Sequence, residues 1–400
     1  MKKILILIHD MQIGGAQKSL LSFCQTFASS GMTEQYDVHL MPINPNGAFY
    51  SQIPETIKII EPPRELRWLG SRFHISLIKK YSSCRAIQGE AVWLLRSKLQ
   101  MFPPTYNVQQ RLWSSWKKFL PMHKTEYDVV ISYMDGVPNY YAMEKVQAKK
   151  KVLWIHNEYQ KLGYDADFDK KFFESCDHII TISDQCHRCI VDEFPFAAQK
   201  TYVLENITSG QQVIARSNEG TAEEFETEEG VWKLLSVGRL NSQKGYDLAI
   251  KAAEIMRDNG LRFIWLIVGE GAERDVLQSM IDTSGLGEQI KLIGARSNPY
   301  VYMRACDVLV QSSRMEGKSV VLDEAKILCK TIVVTNYTTV HDSIEHGKSG
   351  WIVDMNPEAI AQGVMEICAD DRQRNSLRTY LENCPKGNES ELKKYIDVMF

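Results

Sequence analysis

Short apolar runs alternate along the chain with longer segments in which apolar residues recur every three or four positions. The runs are rich in Ile, Val and Leu, which is typical of strands buried on both faces of a parallel sheet. The predicted strands are Lys3–Ile8, Tyr36–Pro42, Asp128–Tyr133, Lys151–His156, His178–Ile182, Lys200–Leu204, Trp232–Val237, Arg262–Val268, Gln289–Ile293, Val308–Gln311, Thr331–Thr335 and Gly350–Val353. The predicted helices include Gly15–Ser29, Tyr246–Asp258, Glu273–Thr283, Asn298–Ala305, Ser319–Leu328 and Pro357–Ala369. Such alternation predicts parallel sheets covered by helices on both faces.

A chain of 400 residues is too long for one ordinary core, so two domains are expected. Residues 208–230 are acidic and poor in apolar side chains, and we interpret them as an exposed linker or long hairpin. The predicted N-terminal domain covers residues 1–207 and the C-terminal domain residues 231–384, while residues 385–400 form a last helix that packs back on the N-terminal domain. The expected fold class is α/β, with two doubly wound, Rossmann-like domains facing each other across a cleft.

Composition and charge exclude several classes of protein. A chain with 44% hydrophobic and 24% charged residues is globular rather than disordered, and its net charge of −3 is not that of a nucleic-acid-binding polycation. The first apolar run stops at His9-Asp10, too early for a signal peptide, and none approaches the roughly 18 residues of a membrane span. The nine cysteines are scattered, and one pair, Cys186 and Cys189, has CxxC spacing but lacks the second ligand pair that a zinc site needs. We therefore expect a cytoplasmic protein without a bound metal.

One segment, residues 64–124, interrupts the alternation. It holds twelve lysines and arginines against two glutamates, with tryptophans interleaved. The residues concerned are Arg64, Arg67, Arg72, Lys79, Lys80, Arg85, Arg96, Lys98, Arg111, Lys117, Lys118 and Lys124, with Glu65 and Glu90, and Trp68, Trp93, Trp113 and Trp116 beside Phe73, Leu94, Leu95, Leu112 and Phe119. This composition suits an interfacial helix on an anionic bilayer. It equally suits a solvated basic insertion with ordinary core aromatics, and the sequence leaves both interpretations open.

Two glutamates, Glu316 and Glu324, bracket a short loop and the first turns of a predicted helix. Backbone N–H groups at the start of that helix should be free to bind an anion or a hydroxyl-rich ligand. The two carboxylates are therefore expected to hold two parts of one polar ligand. The ligand-binding residues predicted here are Glu316, Gly317, Lys318, Ser319, Val320 and Glu324.

A second group, Gly238, Arg239 and Lys244, follows the predicted strand Trp232–Val237 and opens a helix. Gly238 allows a close backbone approach, Arg239 offers a fork to two phosphate oxygens, and Lys244 offers a movable point charge. Two cations at a strand end can neutralise a nucleotide leaving group without a metal. For either cation alone, a surface charge at a helix start is the simpler interpretation.

Other strand ends carry weaker candidates. They are Gly269, the stretch Gly294-Ala295-Arg296, the pair Gly14-Gly15, and His156. The exposed backbone of Gly294 to Arg296 could read the edge of a base. Gly14-Gly15 gives an anion-tolerant turn but lacks the glycine fingerprint of a dinucleotide fold. His156 ends a strand at the expected cleft, although a lone histidine is more often structural.

Together these motifs resemble the retaining GT-B glycosyltransferases of family four, the glycosyl transferases group 1, of the bacterial surface-polysaccharide type. The strongest element is the E-x(7)-E motif, matched by Glu316 and Glu324. The resemblance implies that Glu316 contacts the donor sugar and Glu324 the ribose, while Arg239 and Lys244 hold the diphosphate. It implies further that Gly14-Gly15 is the glycine-rich first loop, that His156 contacts the sugar, and that residues 294–296 read the base. Lys318 and Asp323 stand where apolar residues are common in the family, which leaves the donor sugar open.

The implied reaction moves a sugar from a nucleoside diphosphate, expected to be UDP, to a glycan acceptor with retention of configuration. Glu316, His156, Arg239 and Lys244 would be the catalytic residues, with His156 orienting the sugar and the leaving phosphate accepting the acceptor's proton. No metal or other cofactor is expected. The basic segment favours a polyprenyl-linked acceptor at the inner face of the cell membrane, as in capsule or exopolysaccharide synthesis.

Two other functions remain open from the sequence. A sugar-nucleotide epimerase on the same fold would convert the donor without any acceptor. A non-catalytic glycan- or lipid-binding protein could keep the fold, but it would have little need of both glutamates and both cations together. A nicotinamide oxidoreductase is disfavoured because the dinucleotide fingerprint is missing.

Overall fold

The computed structural model shows two compact units, and each is built around one parallel β-sheet. The structure describes residues 1–71 and 83–400. The first unit comprises Met1–Ile207 together with Ser390–Phe400, and the second comprises Thr208–Glu389. The α/β class with two Rossmann-like sheets, expected from the sequence, is confirmed.

The sheet of the first unit has seven strands in the order β3-β2-β1-β4-β5-β6-β7, all paired in parallel. These strands are β1 Lys2–Ile8, β2 Tyr36–Pro42, β3 Lys58–Ile59, β4 Tyr127–Ser132, β5 Ala148–Ile155, β6 His178–Thr181 and β7 Thr201–Val203. The described helices before the second unit are α1 Gly15–Ser29, α2 Arg64–Ser71, α3 Cys84–Lys98, α4 Val108–Trp116, α5 Val137–Lys145, α6 Ala166–Ser175 and α7 Asp184–Glu193.

The sheet of the second unit has six parallel strands in the order β10-β9-β8-β11-β12-β13. This is the doubly wound order in which the first strand lies at the centre and the chain crosses over to both sides. The strands are β8 Trp232–Val237, β9 Phe263–Val268, β10 Ile290–Gly294, β11 Val308–Gln311, β12 Thr331–Thr335 and β13 Trp351–Val353. The helices are α8 Gly210–Ser217, α9 Tyr246–Asp258, α10 Arg274–Thr283, α11 Tyr300–Ala305, α12 Val320–Ile327, α13 Pro357–Ala369 and α14 Asp371–Glu382.

Apolar layers pack against both faces of each sheet, which is why the central strands read as continuous apolar runs. In β9 all six residues are buried, and alternate residues belong to different layers. Trp265 and Ile267 lie in one layer, while Leu266 and Val268 lie in the other. The two-residue period of a strand therefore supplies both cores from one run of six residues.

The last helix, α15 Glu391–Met399, returns to the first unit. Tyr395 stacks on Phe23 of α1 with ring centroids 5.3 Å apart, and its hydroxyl donates to the carbonyl of Glu205 at 2.8 Å. Because Tyr395 and Met399 are fully buried, α15 is part of the first unit's core although it lies at the other end of the sequence.

Residues 208–230 differ from the exposed linker or hairpin that their acidic composition predicts. They belong to the second unit and contain α8, and Val213 and Phe225 are buried in its core. Glu224 pairs with Arg296 at 2.8 Å. A few apolar side chains at the right positions are enough to fix the segment, and composition alone does not show this.

In the basic segment, residues 64–124, the tryptophans do not lie at the surface as an interfacial helix would require. Trp68, Trp113 and Trp116 are buried in the core of the first unit, and Trp93 packs against it. These rings are therefore ordinary core aromatics, because helices α2 and α4 turn them towards the sheet. Arg72, Phe73, Lys79 and Lys80 lie outside the described residues. Within the described parts of the chain, every helix is too short or too polar to cross a bilayer.

Candidate functional site

The carboxyl ends of β8, β9 and β10 lie side by side in the second unit, and a glycine stands at each. Gly238 donates its N–H to the carbonyl of Val268 at 3.0 Å, and Gly269 donates to the carbonyl of Gly294 at 3.0 Å. A Cβ atom at position 269 would lie 1.8 Å from the carbonyl oxygen of Gly238, so only glycine fits there. The three turns therefore form one closely packed backbone surface at the edge of the sheet.

Lys244 lies in the short turn between β8 and α9, and its side chain passes beside Gly238. Its Nζ donates to Oε1 of Glu316 at 2.5 Å, and both side chains are largely buried. A Cβ atom on Gly238 would come within 2.9 Å of the Lys244 side chain, so Gly238 leaves the space through which Lys244 reaches Glu316. Arg239, the next residue, is exposed. Of the two predicted cations, Lys244 thus contacts the first glutamate directly.

Hydroxyl groups hold the loop that carries Glu316. Ser313 donates its hydroxyl to Oε1 of Glu316 at 2.7 Å, and Thr339 donates to the carbonyl oxygen of Glu316 at 2.7 Å. Thr335 in turn donates to the carbonyl of Ser313 at 2.6 Å. Because the backbone and the carboxylate are both bonded, Glu316 is fixed in one orientation with Lys244 against it.

Glu324 lies inside α12 and is buried, although it is an acidic residue. Tyr300 of α11 donates its hydroxyl to Oε1 of Glu324 at 2.7 Å. Burial, with the charge of Glu324 beside it, raises the pKa of Tyr300 well above its usual value, so Tyr300 stays a hydrogen-bond donor. The structure thus holds the second glutamate of the motif in place through a tyrosine on a neighbouring helix.

The start of α12 lies between the two glutamates. The N-cap residue Ser319 is buried, and its hydroxyl donates to Oε1 of Gln311 at 2.8 Å instead of capping the helix. Gly317 is buried beside it, and Lys318 is half-buried. The N-terminal N–H groups of α12, including that of Val320, are therefore not occupied by the cap side chain and carry the positive end of the helix dipole.

Arg296 is engaged by residues of its own unit. Its guanidinium donates to Glu224 at 2.8 Å and to the hydroxyl of Tyr302 at 3.1 Å. Gly294 has a φ of +77°, which favours glycine, and Ala295 is exposed. The stretch proposed to read a base is thus a turn whose arginine is held by an acidic partner.

His156 follows β5 in the first unit and is buried. Its Nε2 lies 2.9 Å from the carbonyl oxygen of Tyr133, so Nε2 carries the proton and donates it. The ring stacks on Trp154 at an interplanar angle of 10°. Burial lowers the pKa of His156 to about 4, so the imidazole is neutral near pH 7 with Nδ1 as an acceptor.

The Gly14-Gly15 turn leads from β1 into α1 of the first unit. Asp10 orders the approach to it, since the backbone N–H of Gln12 and the side-chain amide of Gln17 donate to Asp10 at 3.0 and 2.9 Å. Burial works against ionisation of Asp10, but its hydrogen bonds with His9, Gln12 and Gln17 outweigh burial and lower its pKa. The N-terminus of α1 therefore has a defined geometry, with Gly14 as its N-cap.

Three residues that hold the two glutamates are not predicted from the sequence, namely Ser313, Thr339 and Tyr300. Ser313 stands three residues before Glu316, a local spacing that could have indicated it. Tyr300 and Thr339 come from other elements of the unit, and the sequence offers no local pattern that joins them to the motif.

Comparisons with known proteins find similarity over the residues of the second unit. A family model described as Glycosyl transferases group 1 matches residues 217–383, which lie within the second unit. The chain is 26% identical over 257 residues to the N-acetylgalactosamine-N,N'-diacetylbacillosaminyl-diphospho-undecaprenol 4-alpha-N-acetylgalactosaminyltransferase of Campylobacter jejuni, an alignment covering 60% of this chain and 67% of that protein.

Two further relatives match over shorter stretches. The amylovoran biosynthesis glycosyltransferase AmsK of Erwinia amylovora is 31% identical over 143 residues, which is 34% of each chain. The lipopolysaccharide core biosynthesis glycosyltransferase LpsE of Rhizobium meliloti is 27% identical over 212 residues, covering 50% of this chain and 58% of the relative. The matched region thus spans between about a third and two thirds of the relatives' own length.

Solved structures match over almost the whole chain. HepE of Anabaena, solved in complex with UDP and glucose, superposes with a TM-score of 0.71 at 15% identity, covering 99% of this chain and 98% of that one. TarM of Staphylococcus aureus superposes with a TM-score of 0.69 at 14% identity and covers 100% of both chains. At these identities the likeness shows the fold. Residues 217–383 thus match the glycosyl transferases group 1 family, and the two parallel-sheet units give the chain the GT-B fold.

Proposed function

We propose that the protein transfers a sugar from a nucleoside diphosphate, a UDP-sugar, to a hydroxyl group of a lipid-linked glycan, with retention of the anomeric configuration. The observation that carries the proposal is the contact of Lys244 with Glu316 at 2.5 Å, beside the N-terminus of α12. It joins a cation suited to phosphate and a carboxylate suited to sugar hydroxyls within one small site.

A nucleoside-diphosphate sugar matches this spacing because its β-phosphate is bonded directly to the sugar's anomeric carbon. A phosphate oxygen on Lys244 therefore puts the sugar hydroxyls next to Glu316. Arg239 and the N-terminal N–H groups of α12 would add to the stabilisation of the charge that develops on the leaving diphosphate. Glu324, held by Tyr300, would accept hydrogen bonds from the ribose hydroxyls.

For the chemical step we propose front-face substitution, in which the leaving phosphate accepts the proton of the attacking hydroxyl. His156 is neutral near pH 7 and donates from Nε2 to a carbonyl, so its Nδ1 can accept a hydrogen bond from a sugar hydroxyl. This favours an orienting role over that of a general base. Two side-chain cations and a helix N-terminus supply the charge stabilisation that a divalent metal would give, so we propose a metal-independent reaction.

The proposed acceptor rests on the relatives. By their names, the C. jejuni relative acts on a diphospho-undecaprenol-linked glycan, and the E. amylovora and R. meliloti relatives work in amylovoran and lipopolysaccharide core biosynthesis. We therefore propose a polyprenyl-linked acceptor at the cytoplasmic face of the cell membrane, in a capsule, exopolysaccharide or related pathway.

A panel of UDP- and GDP-sugars tests the proposed donor. Each sugar is screened for thermal stabilisation of the full chain and then for transfer to polyprenyl-diphosphate glycans, with products identified by mass spectrometry. We expect one UDP-sugar to stabilise the chain and to be transferred, with full activity after chelation. Conversion of the donor without an acceptor would instead indicate an epimerase, and activity lost on chelation and restored by a divalent cation would overturn metal independence.

A further inference from the structure

Helix α3, Cys84–Lys98, packs through one face and exposes several large apolar side chains on the other. Its buried face carries Ala86, Gly89 and Trp93. A Cβ atom on Gly89 would lie 2.8 Å from the ring of Trp116, so this face is packed tightly against α4. The helix is therefore fixed to the first unit, and its other face is directed outwards.

The exposed face carries large apolar side chains at helical spacing. Ile87, Leu94 and Leu95 are 56%, 53% and 57% exposed, and Ala91 between them is exposed as well. The stripe continues past the helix end with Leu99 and Met101, each 58% exposed. Single exposed apolar residues are common, but five large ones within fifteen residues concentrate exposed apolar surface in the way that marks a docking surface.

The charges near these apolar side chains indicate which kind of partner the exposed face binds. Residues 83–124 contain seven lysines and arginines and a single glutamate, in a chain whose net charge is −3. Arg85 and Lys98, at the two ends of α3, are both exposed. An apolar stripe bordered by cations is complementary to an anionic lipid surface, where leucines enter the acyl boundary and cations meet the headgroups.

We propose that the exposed face of α3 docks the protein on an anionic membrane. Ile87, Leu94, Leu95, Leu99 and Met101 enter the bilayer interface, and Arg85 and Lys98 contact lipid phosphates. The inference rests on the proposed function, because a polyprenyl-linked acceptor confines the reaction to a lipid surface. It assigns membrane contact to the leucines, whereas the tryptophans of the same segment are buried.

Vesicle co-sedimentation of the full chain tests the proposal. Vesicles of phosphatidylglycerol with phosphatidylethanolamine are compared with vesicles of phosphatidylcholine at low and physiological salt. We expect the wild type to bind the anionic vesicles, and Leu94→Ser with Leu95→Ser to weaken binding about 100-fold or more. The charge variant Arg85→Glu with Lys98→Glu should remove the preference for anionic lipid.

A matched control is Ile214→Ser with Val276→Ser, which replaces two exposed apolar residues of the second unit, 42% and 61% exposed. We expect this control to bind vesicles as the wild type does. Equal binding by the Leu94 and Leu95 variant, or no binding by the wild type, would overturn the proposal. A dimer in solution that dissociates in the Leu94 and Leu95 variant, without vesicle binding, would assign the face to a second copy of the chain.

Sugar transfer to a water-soluble, short-chain acceptor separates this inference from the proposed function. Transfer to that acceptor without vesicle binding would contradict the docking proposal and support the proposed enzyme activity. Vesicle binding through Leu94 and Leu95 without transfer to any acceptor would support the docking face and contradict the proposed function.

Discussion

Glu316 is the side chain on which the proposed chemistry depends, and three other residues determine where it lies. Lys244 and Ser313 both donate to its Oε1 atom, and Thr339 fixes the backbone carbonyl. A carboxylate with two donors on one oxygen keeps the other oxygen for a further partner. When a phosphate attracts Lys244, Ser313 can continue to hold Glu316 towards the sugar.

Tyr300 gives a test of the second glutamate. Tyr300→Phe removes the hydroxyl that donates to Glu324 and leaves the ring in place. Hydrogen bonds to charged groups contribute about 1.5 to 3 kcal/mol, so we expect the Kd for UDP, measured by calorimetry, to rise roughly 10-fold or more. Tyr380→Phe, on α14 of the same unit, is the control, because its exposed hydroxyl donates to Glu345 instead. Equal affinities in the Tyr300→Phe variant and the wild type would remove Glu324 from the nucleotide site.

His156 makes a prediction about pH. Its folded pKa of about 4 lies below the unfolded value near 6.5, so the unfolded chain binds the extra proton between these values. Stability from His156 is therefore complete above pH 6.5 and is lost as pH falls towards 4. Relative to His156→Gln, the wild type should lose about 2 kcal/mol of unfolding free energy between pH 7.5 and 5. Denaturant titration at both pH values measures this, and a pH-independent difference would show that the buried ring is not held neutral.

At the residue scale the sequence predicted the charged groups and missed the hydroxyls. Glu316 and Lys244 could be found because a carboxylate or cation that follows a strand indicates a ligand, and Glu324 because it stands eight positions after Glu316 in the next helix. The partners Thr339 and Tyr300 could not, because a hydroxyl in a sequence does not show which buried group it will meet. The prediction that residues 294–296 read a base stays a prediction, and Arg296 is bonded to Glu224.

At the scale of elements, the turn after β9 determines how closely the turns at the edge of the second sheet pack. Gly269→Ala places a methyl group 1.8 Å from the carbonyl of Gly238, so the turns after β8 and β9 must move apart. We expect a loss of several kcal/mol of stability and weakened UDP binding, because the Lys244 side chain that reaches Glu316 passes beside Gly238 in the turn that must move.

Gly287→Ala in the same unit is the matched control, since a Cβ atom there meets nothing within 4 Å. Thermal unfolding and UDP calorimetry of the two variants provide the comparison. Similar melting temperatures and affinities for both variants would show that the packing of the glycine turns is not needed.

Four strands and three helices were predicted with the bounds that the structure gives them, the helices being α1, α9 and α13. The strands β2, β8, β11 and β12 have the bounds read from their apolar runs, because a buried parallel strand leaves a continuous apolar pattern. The two-residue strand β3 is too short to leave one. Helix α8 was read as linker because only a few of its side chains enter the core.

At the scale of the whole molecule, the predicted site residues are distributed over both units. The second unit carries Lys244, Glu316 and Glu324, and the family model matches it alone. The first unit carries His156, the Gly14-Gly15 turn and the exposed face of α3. Nucleotide recognition is therefore predicted from the unit with the family motif, and acceptor and membrane contact from the unit without it.

Sugar transfer by Glu316→Ala tests the central claim most directly. Transfer is measured with the UDP-sugar found in the donor panel and a polyprenyl-diphosphate acceptor, and UDP binding by calorimetry controls for folding. The account predicts that transfer falls by about 100-fold or more while UDP still binds, because Lys244 and the N-terminus of α12 remain. Transfer by Glu316→Ala at the wild-type rate, with UDP binding intact, would contradict it.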